Sequence, residues 1–474
     1  MQRIPVKFGP DSGPARSRNA SAGPLQNMFI EQAPDSKTAY TLYSTPGLKT
    51  FSTTGETSGC RGGIVIGSVL YVVFGETIFK VTSGGAATAI ATLPGTDNVS
   101  MAVNRAAVKE IAIAAQGSRY IMAADTLTEI ADADLPANPI GVVYLDGYFI
   151  WAYADGTMYQ SALNDGTSYN ALDFAEAEAK PDATRDIGVL GDRLVNFGAE
   201  SVEFFYNAAP AEGFSFYSQP GAMIDRGVLA ANCWADFDNT IAWIDDQGIV
   251  VRGEGTIARD IGSYPVEADI QATIKKQEQS DIVVSTWSFA GHEMLQIRTP
   301  DNCWTYDASS PQKWFKRASQ DKDSWRGLHF FRVFNKTIVG DAYTGVLYEQ
   351  DDATYVEGSS EHIRECVSNY VTAGASRVRH DALYLDIETG VGDAGGSADQ
   401  ITPEIVLSWS DDAGRTWQGY RQISIGGQGK YETRVQARRL GIAGQQGRVY
   451  RVTFSPALPF TLLGAEADVT ELRA

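Results

Sequence analysis

Apolar and polar residues alternate with a period of two along most of the chain, which is typical of β-strands rather than helices. Leu70–Phe74 and Thr77–Val81 flank a two-residue Gly75-Glu76 turn, and this spacing predicts a β-hairpin. Similar hairpins, with Asp-Gly or Gln-Gly in the turns, follow in 143–159 and 241–252. The pattern therefore predicts an all-β chain.

The predicted hairpins recur every 37–55 residues. A repeat of roughly 40–50 residues with about four strands is typical of a β-propeller blade. We therefore expect a β-propeller of six or seven blades over residues 61–355, with a long array of β-sandwiches as the alternative. The first strands of successive units are expected around Ile64, Met101, Val142, Ile187, Leu229, Val284 and Leu328.

The two ends of the chain differ from this central part. Residues 1–60 are rich in Gly, Pro, Ser and Thr, which indicates an extended N-terminal arm laid over the rest. Residues 361–474 show longer alternations, as in 382–387 and 404–409, and predict a C-terminal β-sandwich or jelly-roll-like domain. One helix is predicted, from Val266 to Gln279, directly after Pro265.

Composition excludes several classes of protein. With 43% hydrophobic and 11% aromatic residues, the 474-residue chain can form a large core and is not intrinsically disordered. The most apolar run, Ile64–Phe74, is shorter than the ~20 residues of a spanning helix. No signal peptide is visible at the N-terminus, so neither export nor a membrane anchor is predicted. The four cysteines are widely separated and are expected to be reduced core thiols.

Negative charge is concentrated in the middle of the chain. The formal net charge is −19, from 39 Lys and Arg against 58 Asp and Glu. Residues 1–40 carry a net +2 and residues 361–474 a net −2, so all of the excess lies in 41–360. This sign argues against ordinary nucleic-acid binding, which needs a basic surface. It favours either simple solubility or a surface that meets DNA without holding it.

One local motif is sharp. Ser410, Asp412, Gly414, Thr416 and Trp417 fit every defined position of the Asp-box, S-x-D-x-G-x-T-W. In this hairpin turn the aspartate can accept backbone N–H groups, the glycine can adopt positive φ and the tryptophan can cover the corner. The motif is typical of sialidases, in which it repeats and is structural, whereas here it occurs once.

No catalytic or metal-binding constellation is found. Arg3-Ile4-Pro5 resembles the segment that carries the first substrate arginine of sialidases, so a sialidase-like glycoside hydrolase is kept as an alternative. There is no nucleophile elbow and no phosphate loop, and the four histidines are dispersed. Pairs such as Asp245-Asp246 are more typical of solvated turns than of acid–base dyads. We expect neither an enzyme nor a cofactor or metal site.

Several stretches resemble a known family, in the family's order, over roughly residues 20–350. The chain resembles the packaged-DNA stabilisation, or tail accessory, proteins that build the tail hub or nozzle of short-tailed bacteriophages. The matching stretches are Pro24–Glu31 with Thr45–Phe51, Cys60–Gly63 with Leu70–Gly75, Val99–Asn104, Tyr144–Ile150, Asn196–Glu203, Gln219–Ala222 with Arg226-Gly227, Gly291–Glu293, and Tyr306–Ser310 with Trp314.

The resemblance implies a structural protein of the virion tail, assembled in the host bacterial cytoplasm. By this resemblance, six copies are expected to form a ring that retains packaged DNA and conducts it outward at ejection. The implied partners are five further copies, the portal or head-to-tail adaptor ring, a distal tail needle, fibre or tailspike, and passing double-stranded DNA that is not bound specifically. Asp245 and Asp246 are candidate acidic residues lining the channel. A glycan-binding tail module is a further alternative.

Overall fold

The N-terminal segment supplies strands to both halves of the molecule. The computed structural model describes residues 2–9, 13, 15–21, 23–32, 40–177, 180, 182–210, 212–310, 314–372 and 376–472. Parts of the predicted arm, 10–12, 14, 22 and 33–39, lie outside the described residues. The strands of this segment are β1 (Gln2–Pro5), β2 (Leu25–Gln26), β3 (Met28–Gln32), β4 (Tyr40–Ser44) and β5 (Gly47–Thr53).

Seven antiparallel sheets follow one another and form the blades of a propeller. Blade 1 holds β6 (Cys60–Ile66), β7 (Val69–Phe74), β8 (Thr77–Val81) and β9 (Ala87–Thr92). Blade 2 holds β10 (Ser100–Val103), β11 (Glu110–Ala115), β12 (Ser118–Ala123) and β13 (Thr126–Glu129). Blade 3 holds β14 (Gly141–Leu145), β15 (Tyr148–Ala152), β16 (Thr157–Ala162) and β17 (Asp165–Glu176). Blade 4 holds β18 (Thr184–Leu190), β19 (Arg193–Gly198), β20 (Val202–Asn207) and β21 (Phe216–Ser218).

The remaining blades contain the main helix and the closure of the ring. Blade 5 holds β22 (Trp234–Phe237), β23 (Thr240–Ile244), β24 (Val250–Glu254) and β25 (Ile257–Asp260). Helix α1 (Tyr264–Lys276) and a 3-10 turn (Gln279–Asp281) lead to blade 6. This blade holds β26 (Val283–Phe289), β27 (His292–Arg298), β28 (Cys303–Asp307) and β29 (Trp314–Arg317). Blade 7 holds β30 (Gly327–Val333), β31 (Lys336–Asp341) and β32 (Val346–Asp351), with β5 as its fourth strand.

The N-terminal strand β5 closes the propeller by pairing antiparallel with β32, from Gly47 opposite Asp351 to Thr53 opposite Val346. Leu48, on β5, is 0% exposed and packs with Val339 and Tyr348 of blade 7. The pairing joins residues about 300 positions apart, so the first and last parts of the propeller are held by backbone hydrogen bonds. The segment predicted as an arm therefore includes part of a blade.

Two local expectations differ from the structure. Leu229 does not open blade 5, whose first strand starts at Trp234; Leu229 is buried in the preceding connection and its N–H donates to Ile244 O. Its apolar character therefore serves packing rather than a strand. The helix begins two residues earlier than the predicted Val266, with Pro265 in its first turn, and ends at Lys276 rather than at Gln279. Gln277 caps it with a φ of 64°.

The C-terminal residues form a β-sandwich joined to the propeller through shared sheets. A short hairpin of β33 (Val356–Glu357) and β34 (Ser360–Glu361) continues the sheet of blade 7 through β5 and precedes the sandwich. The C-terminal strands of the sandwich are β35 (Arg364–Val367), β36 (Arg377–Ile387), β37 (Glu404–Ser410), β38 (Gln418–Ser424), β39 (Gln436–Ala443), β40 (Val449–Phe454) and β41 (Thr461–Leu472), with a short helix α2 (Ala398–Ile401). One layer has the order β3-β4-β41-β36-β39, with β1 on β41. The other, β35-β40-β37-β38, continues through β2 into blade 6. The predicted propeller followed by a sandwich is confirmed, with seven blades.

Hydrophobic clusters explain why the two halves form one unit. Trp287, Met294 and Phe315 of blade 6 belong to the same buried cluster as sandwich residues such as Leu407 and Val452. Burial of such side chains contributes roughly 1.5–3 kcal/mol each relative to exposure. A core shared in this way, together with the continuous sheet, fixes the sandwich against blade 6.

Candidate functional site

The Asp-box lies in the turn between β37 and β38 of the sandwich and has the geometry that its sequence predicts. The Asp412 carboxylate accepts hydrogen bonds from Ser410 Oγ at 2.7 Å, from the Thr416 N–H at 2.8 Å and from Thr416 Oγ1 at 2.6 Å. These bonds, first the one from the Thr416 side chain, lower the pKa of Asp412 well below its usual range. Gly414 has a φ of 74°, and Trp417 stacks under the Arg451 guanidinium at 4.2 Å. The hydrogen bonds accepted by the Asp412 carboxylate stay within the turn, and Trp417 connects the turn to β40 through Arg451.

The two predicted channel-lining carboxylates have different surroundings. Asp245 is 0% exposed, and its carboxylate pairs with the Arg226 guanidinium at 2.6 Å and accepts the Ile249 N–H at 2.7 Å. The prediction is therefore wrong for Asp245, because a buried, neutralised carboxylate in a turn presents no charge to a channel. Asp246 is exposed in the same turn, and its placement in a channel stays a prediction.

The first strands of all seven blades surround a central cavity of about 1380 Å³. Its walls include Met101, Val142, Ile187, Val284 and Leu328, which were predicted to lie in first strands. In blades 1 and 5 the first strands contribute Gly63 and Trp234 instead of Ile64 and Leu229. Connections between blades, such as 95–99 and 231–232, form its mouth. The cavity is thus the axis of the propeller itself.

The two arginines among the residues that line this cavity donate hydrogen bonds to backbone carbonyl oxygens. Arg61 donates to the carbonyl oxygens of Asp97, Gly75 and Leu93 at 2.7–3.1 Å, and Arg298 donates to Trp325 O at 3.0 Å. These arginines hold loops rather than a substrate. Burial, with help from Arg298, lowers the pKa of His329 to about 4, so this imidazole is neutral near pH 7.

Burial also shifts the pKa of one carboxyl in the cavity. It raises the pKa of Asp186, although the N–H groups of Asn232 and Ile187, both at 2.8 Å, offset part of this effect. Among the described residues that line the cavity, the arginines are Arg61 and Arg298, and neither is free to form the arginine cluster of a sialidase site. Arg3, the other candidate arginine, lies on β1 in the sandwich and pairs with Asp468 at 2.9 Å.

Exposed carboxylates are concentrated on one face of the propeller, which we call the acidic face. Because strands within a blade are antiparallel, the turn between the second and third strands and the connection to the next blade lie on the same face. Among the described residues, the exposed cations of these segments are Lys275, Lys276 and Lys322. The exposed acidic residues that define the face are Glu76, Asp97, Asp134, Asp155, Glu200, Asp225, Asp246, Asp281, Asp301, Asp321 and Asp323.

Sequence reasoning located the charge excess but not this face. The residues come singly from different turns, so no local run marks them; the available signal was their position just before or between predicted strands. The opposite face holds the turns between first and second strands and those between third and fourth strands. The described residues of these turns include fewer exposed acids, among them Asp146, Asp192, Glu212 and Asp238. They also include the exposed cations Arg105 and Lys109. Exposed negative charge is therefore concentrated on the acidic face of the propeller.

Other candidate chemistry is limited within the described residues. Cys60, Cys233, Cys303 and Cys366 are buried and free, and burial raises the pKa of the first three thiols to about 12. No group of three or more histidine, cysteine or acidic side chains in the described part of the chain is arranged to hold a metal ion. None of its helices combines the length and apolarity needed to cross a bilayer.

The described residues form a seven-bladed propeller with a fused sandwich, and comparisons identify the class of this fold as a tail protein of short-tailed bacteriophages. A family model described as the β-propeller of bacteriophage P22 Gp10 matches residues 2–355, and one described as its β-sandwich matches residues 363–470. The chain belongs to this family. It is 26% identical over 346 residues to the tail hub protein gp10 of Salmonella phage P22, covering 68% of this chain and 71% of that protein.

Similar solved structures are more distant. The WD40 β-propeller domain of Doa1 has a TM-score of 0.41 and 11% identity, over 64% of this chain and 96% of that one. The computationally designed Ika8 protein has a TM-score of 0.39 and 12% identity, over 69% and 99% respectively. The family match establishes a structural component of a phage tail rather than an enzyme.

Proposed function

We propose that the chain forms, with five further copies, the ring of a tail hub that retains packaged DNA and conducts it outward at ejection. Membership of the P22 Gp10 family supports the place in the tail. The observation that carries the proposal further is the acidic face, because it gives each subunit a surface that DNA can pass without adhering to it.

Size requires that DNA pass between subunits rather than through a propeller. A duplex is at least ~17 Å across, twice the ~8.5 Å depth of its major groove, so a bore that admits it over ~16 Å, about five strand residues, offers about 2,500 Å³ to the centres of water molecules. The central cavity offers about 1380 Å³ on the same measure. A channel for double-stranded DNA therefore needs several subunits around a common axis.

Charge supports the orientation of the acidic face towards that axis. Duplex DNA carries one negative charge per ~1.7 Å of its length. Exposed carboxylates repel it over about one Debye length, ~8 Å at physiological salt. Repulsion from all sides keeps the duplex centred and lowers friction during transit. The portal or adaptor ring at one end and a needle, fibre or tailspike at the other are the proposed neighbours, with assembly in the host cytoplasm.

Most of the described N-terminal arm pairs with other strands of its own chain and is not available to dock on a neighbouring ring. Strands β1 to β5 pair within the chain itself. Contacts with a neighbouring ring are therefore proposed for the short segment between β1 and β2, where Arg16 and Arg18 are exposed.

Charge reversal on each face tests the proposal in the assembled phage. Asp246→Lys with Asp281→Lys changes the acidic face, and Asp192→Lys with Glu212→Lys makes the same change of charge on the opposite face. Particle yield and DNA content should be normal in both, whereas the rate of triggered DNA ejection should fall severalfold only in the first. Equal rates in the two variants would contradict the placement of the acidic face in the channel.

Localisation of the chain tests the ring itself. Electron microscopy of virions labelled with an antibody to this chain should show label at the single tail vertex, with six-fold averages of the tail. A tail of other symmetry, or label elsewhere, would contradict the hexameric ring.

A further inference from the structure

Two neighbouring edge strands of the sandwich form a basic surface on an otherwise acidic protein. β38 ends one sheet and β39 ends the other. The Arg421 guanidinium on β38 donates to the carbonyl oxygens of Arg438 at 2.5 Å and Arg439 at 3.1 Å, so the two edges lie side by side. Between positions 415 and 442 the one acidic residue is Glu432, and the basic residues are Arg415, Arg421, Lys430, Arg434, Arg438 and Arg439.

We call Tyr420, Arg421, Arg438, Arg439 and Ile442 the basic edge. Tyr420 is 60% exposed and Ile442 is 46% exposed, and both arginines of β39 are exposed. Among the ion pairs of the described residues, none includes these three arginines. Tyr420 and Arg439 have φ of 40° and 57°, which bends both strands and disfavours the addition of a further strand. The surface is therefore suited to side-chain contacts.

The composition of the basic edge favours a protein partner over nucleic acid. Tyrosine and arginine are enriched in the centres of protein–protein interfaces, where they make most of the binding energy. Non-specific contact with a phosphate backbone needs cations alone and gains nothing from exposed apolar side chains such as Ile442. The partner should accordingly present both apolar groups and carboxylates.

A surface with these properties exists on blade 3 of the same chain. Its outer strand β17 has 12 residues, more than the outer strand of any other described blade. Leu172 is 76% exposed, Phe174 40% and Leu163, in the preceding turn, 62%. Asp173 and Glu176 accompany them, and no Lys or Arg lies between positions 163 and 176. We call Leu163, Leu172, Asp173, Phe174 and Glu176 the blade-3 ridge.

Local structure keeps the ridge in place. The register between β16 and β17 shifts between Tyr159 and Ser161, which lets residues 170–173 project from the sheet. The Asn170 side-chain oxygen accepts the Leu172 N–H at 3.1 Å, and the Phe174 ring stacks on Tyr159 with centroids 5.4 Å apart. The ridge is therefore held in a defined conformation by hydrogen bonding and packing within blade 3.

The two surfaces lie at opposite ends of the subunit. The sandwich joins blade 6 through β2, which lies between β29 and β35, and it follows the β33–β34 hairpin that is paired with β5 of blade 7. In a closed ring of seven blades, blade 3 lies across from the boundary between blades 6 and 7. A subunit cannot bring its own basic edge onto its own ridge, whereas a second copy can do so.

We propose that the basic edge of one subunit docks on the blade-3 ridge of the next copy of this chain. Such a contact joins two different surfaces, so it is head-to-tail and generates a ring when its rotation closes. The proposal rests on the ring of the proposed function and names the interface that builds it. It also leaves the acidic face free to face the channel.

Charge swapping in the full-length chain tests this interface. Arg438→Glu with Arg439→Glu alters the edge, and Asp173→Lys with Glu176→Lys alters the ridge. In sedimentation velocity at physiological salt, each variant should raise the concentration needed for assembly by about tenfold or more. The chain that carries all four changes should assemble again, since the swapped charges meet across each contact. Lys275→Glu with Lys276→Glu, an equal change on helix α1, is the matched control and should assemble as the wild type does.

Each outcome has a distinct meaning. Assembly unaffected by either swap would overturn the interface while leaving the ring intact, and a wild-type chain that stays monomeric would overturn the proposed ring itself. Loss of duplex DNA binding in the arginine variant, with assembly unchanged, would assign the edge to nucleic acid and overturn the proposal. If a reversed variant fails to fold, Arg438→Gln with Arg439→Gln and Asp173→Asn with Glu176→Gln replace it, with the same expected weakening.

Discussion

Glu357→Gln changes a buried polar network at the junction between the propeller and the sandwich. The Glu357 carboxylate is 0% exposed and accepts hydrogen bonds from Ser319 Oγ at 2.5 Å and Trp325 Nε1 at 2.7 Å. His362 Nδ1 lies 3.3 Å from the same carboxylate. Ser319 and Trp325 belong to the connection between blades 6 and 7, and His362 lies in the linker to the sandwich. One carboxylate therefore connects three segments.

The charge of this carboxylate follows from its neighbours. Burial opposes its ionisation and would raise the pKa of Glu357, but His362, Arg317 and Ser319 together outweigh burial and hold that pKa below its usual range. Arg317 is 0% exposed and lies 3.7 Å above the Trp325 ring. Burial lowers the pKa of Arg317 to about 10, so it remains a cation at neutral pH. Glu357 is its buried counter-charge.

Glutamine at position 357 should lower the free energy of unfolding by about 1.5–3 kcal/mol, because it removes the charge from the hydrogen bonds with Ser319 and Trp325 and the Coulomb attraction to Arg317, which lies beyond ion-pair distance. The amide N–H₂ would also meet groups that donate hydrogen bonds. Since the pKa of Glu357 is lowered by folding, its contribution is present above pH ~4.3 and is lost as the pH falls further. The variant should therefore show a flatter loss of stability in acid.

Urea unfolding followed by circular dichroism and tryptophan fluorescence measures the effect. Glu361→Gln, an exposed residue of the adjacent strand β34, is the control and should change stability by less than ~0.5 kcal/mol. A loss below ~1 kcal/mol for Glu357→Gln, or one equal to that of the control, would refute the assignment of Glu357 as the counter-charge of Arg317.

Three further predictions concern other parts of the structure. Burial lowers the pKa of His380 to about 4. The free energy of unfolding should therefore fall as the pH falls from ~6.5 towards 4, because the unfolded imidazole binds a proton in this range and the folded one does not. Urea midpoints that are equal for wild type and His380→Gln across this range would contradict this prediction. Asp412→Ala should lower sandwich stability by about 1–2 kcal/mol through loss of the turn hydrogen bonds, measured by thermal unfolding against Glu432→Ala. The buried thiols, Cys60 among them, should react with a disulfide reagent only after denaturation, and rapid reaction of the native chain would show that they are accessible.

The local alternation of apolar and polar residues was sufficient to predict most strands of the propeller. The Gly75-Glu76 hairpin appears as predicted between β7 and β8, because turn type and alternation are both set by neighbouring residues. Strand β5 shows the limit of such reasoning. Its partner β32 is about 300 residues away, and nothing local distinguishes a strand that closes a ring from one in an arm.

The sequence could not predict which side chains of the candidate site are buried. Asp245 and Asp246 are identical neighbours in the chain, yet the first is buried against Arg226 and the second is exposed. A turn places successive side chains in different surroundings, and the partner of Asp245 comes from a connection 19 residues earlier. The turn of the Asp-box was predictable because the hydrogen bonds accepted by the Asp412 carboxylate come from residues 410–416.

The continuous sheet gives the proposed interface a mechanical consequence. Strand β2 joins β29 of blade 6 to β35 of the sandwich, so backbone hydrogen bonds run from the propeller axis to β38 at the far edge. A rotation of the sandwich relative to blade 6 would break this ladder and the shared core around Trp287 and Phe315. A neighbour bound at the basic edge would therefore fix the orientation of the whole propeller. In a ring built by that contact, all acidic faces adopt one angle to the axis, and the bore is set by the interface rather than by flexible domains.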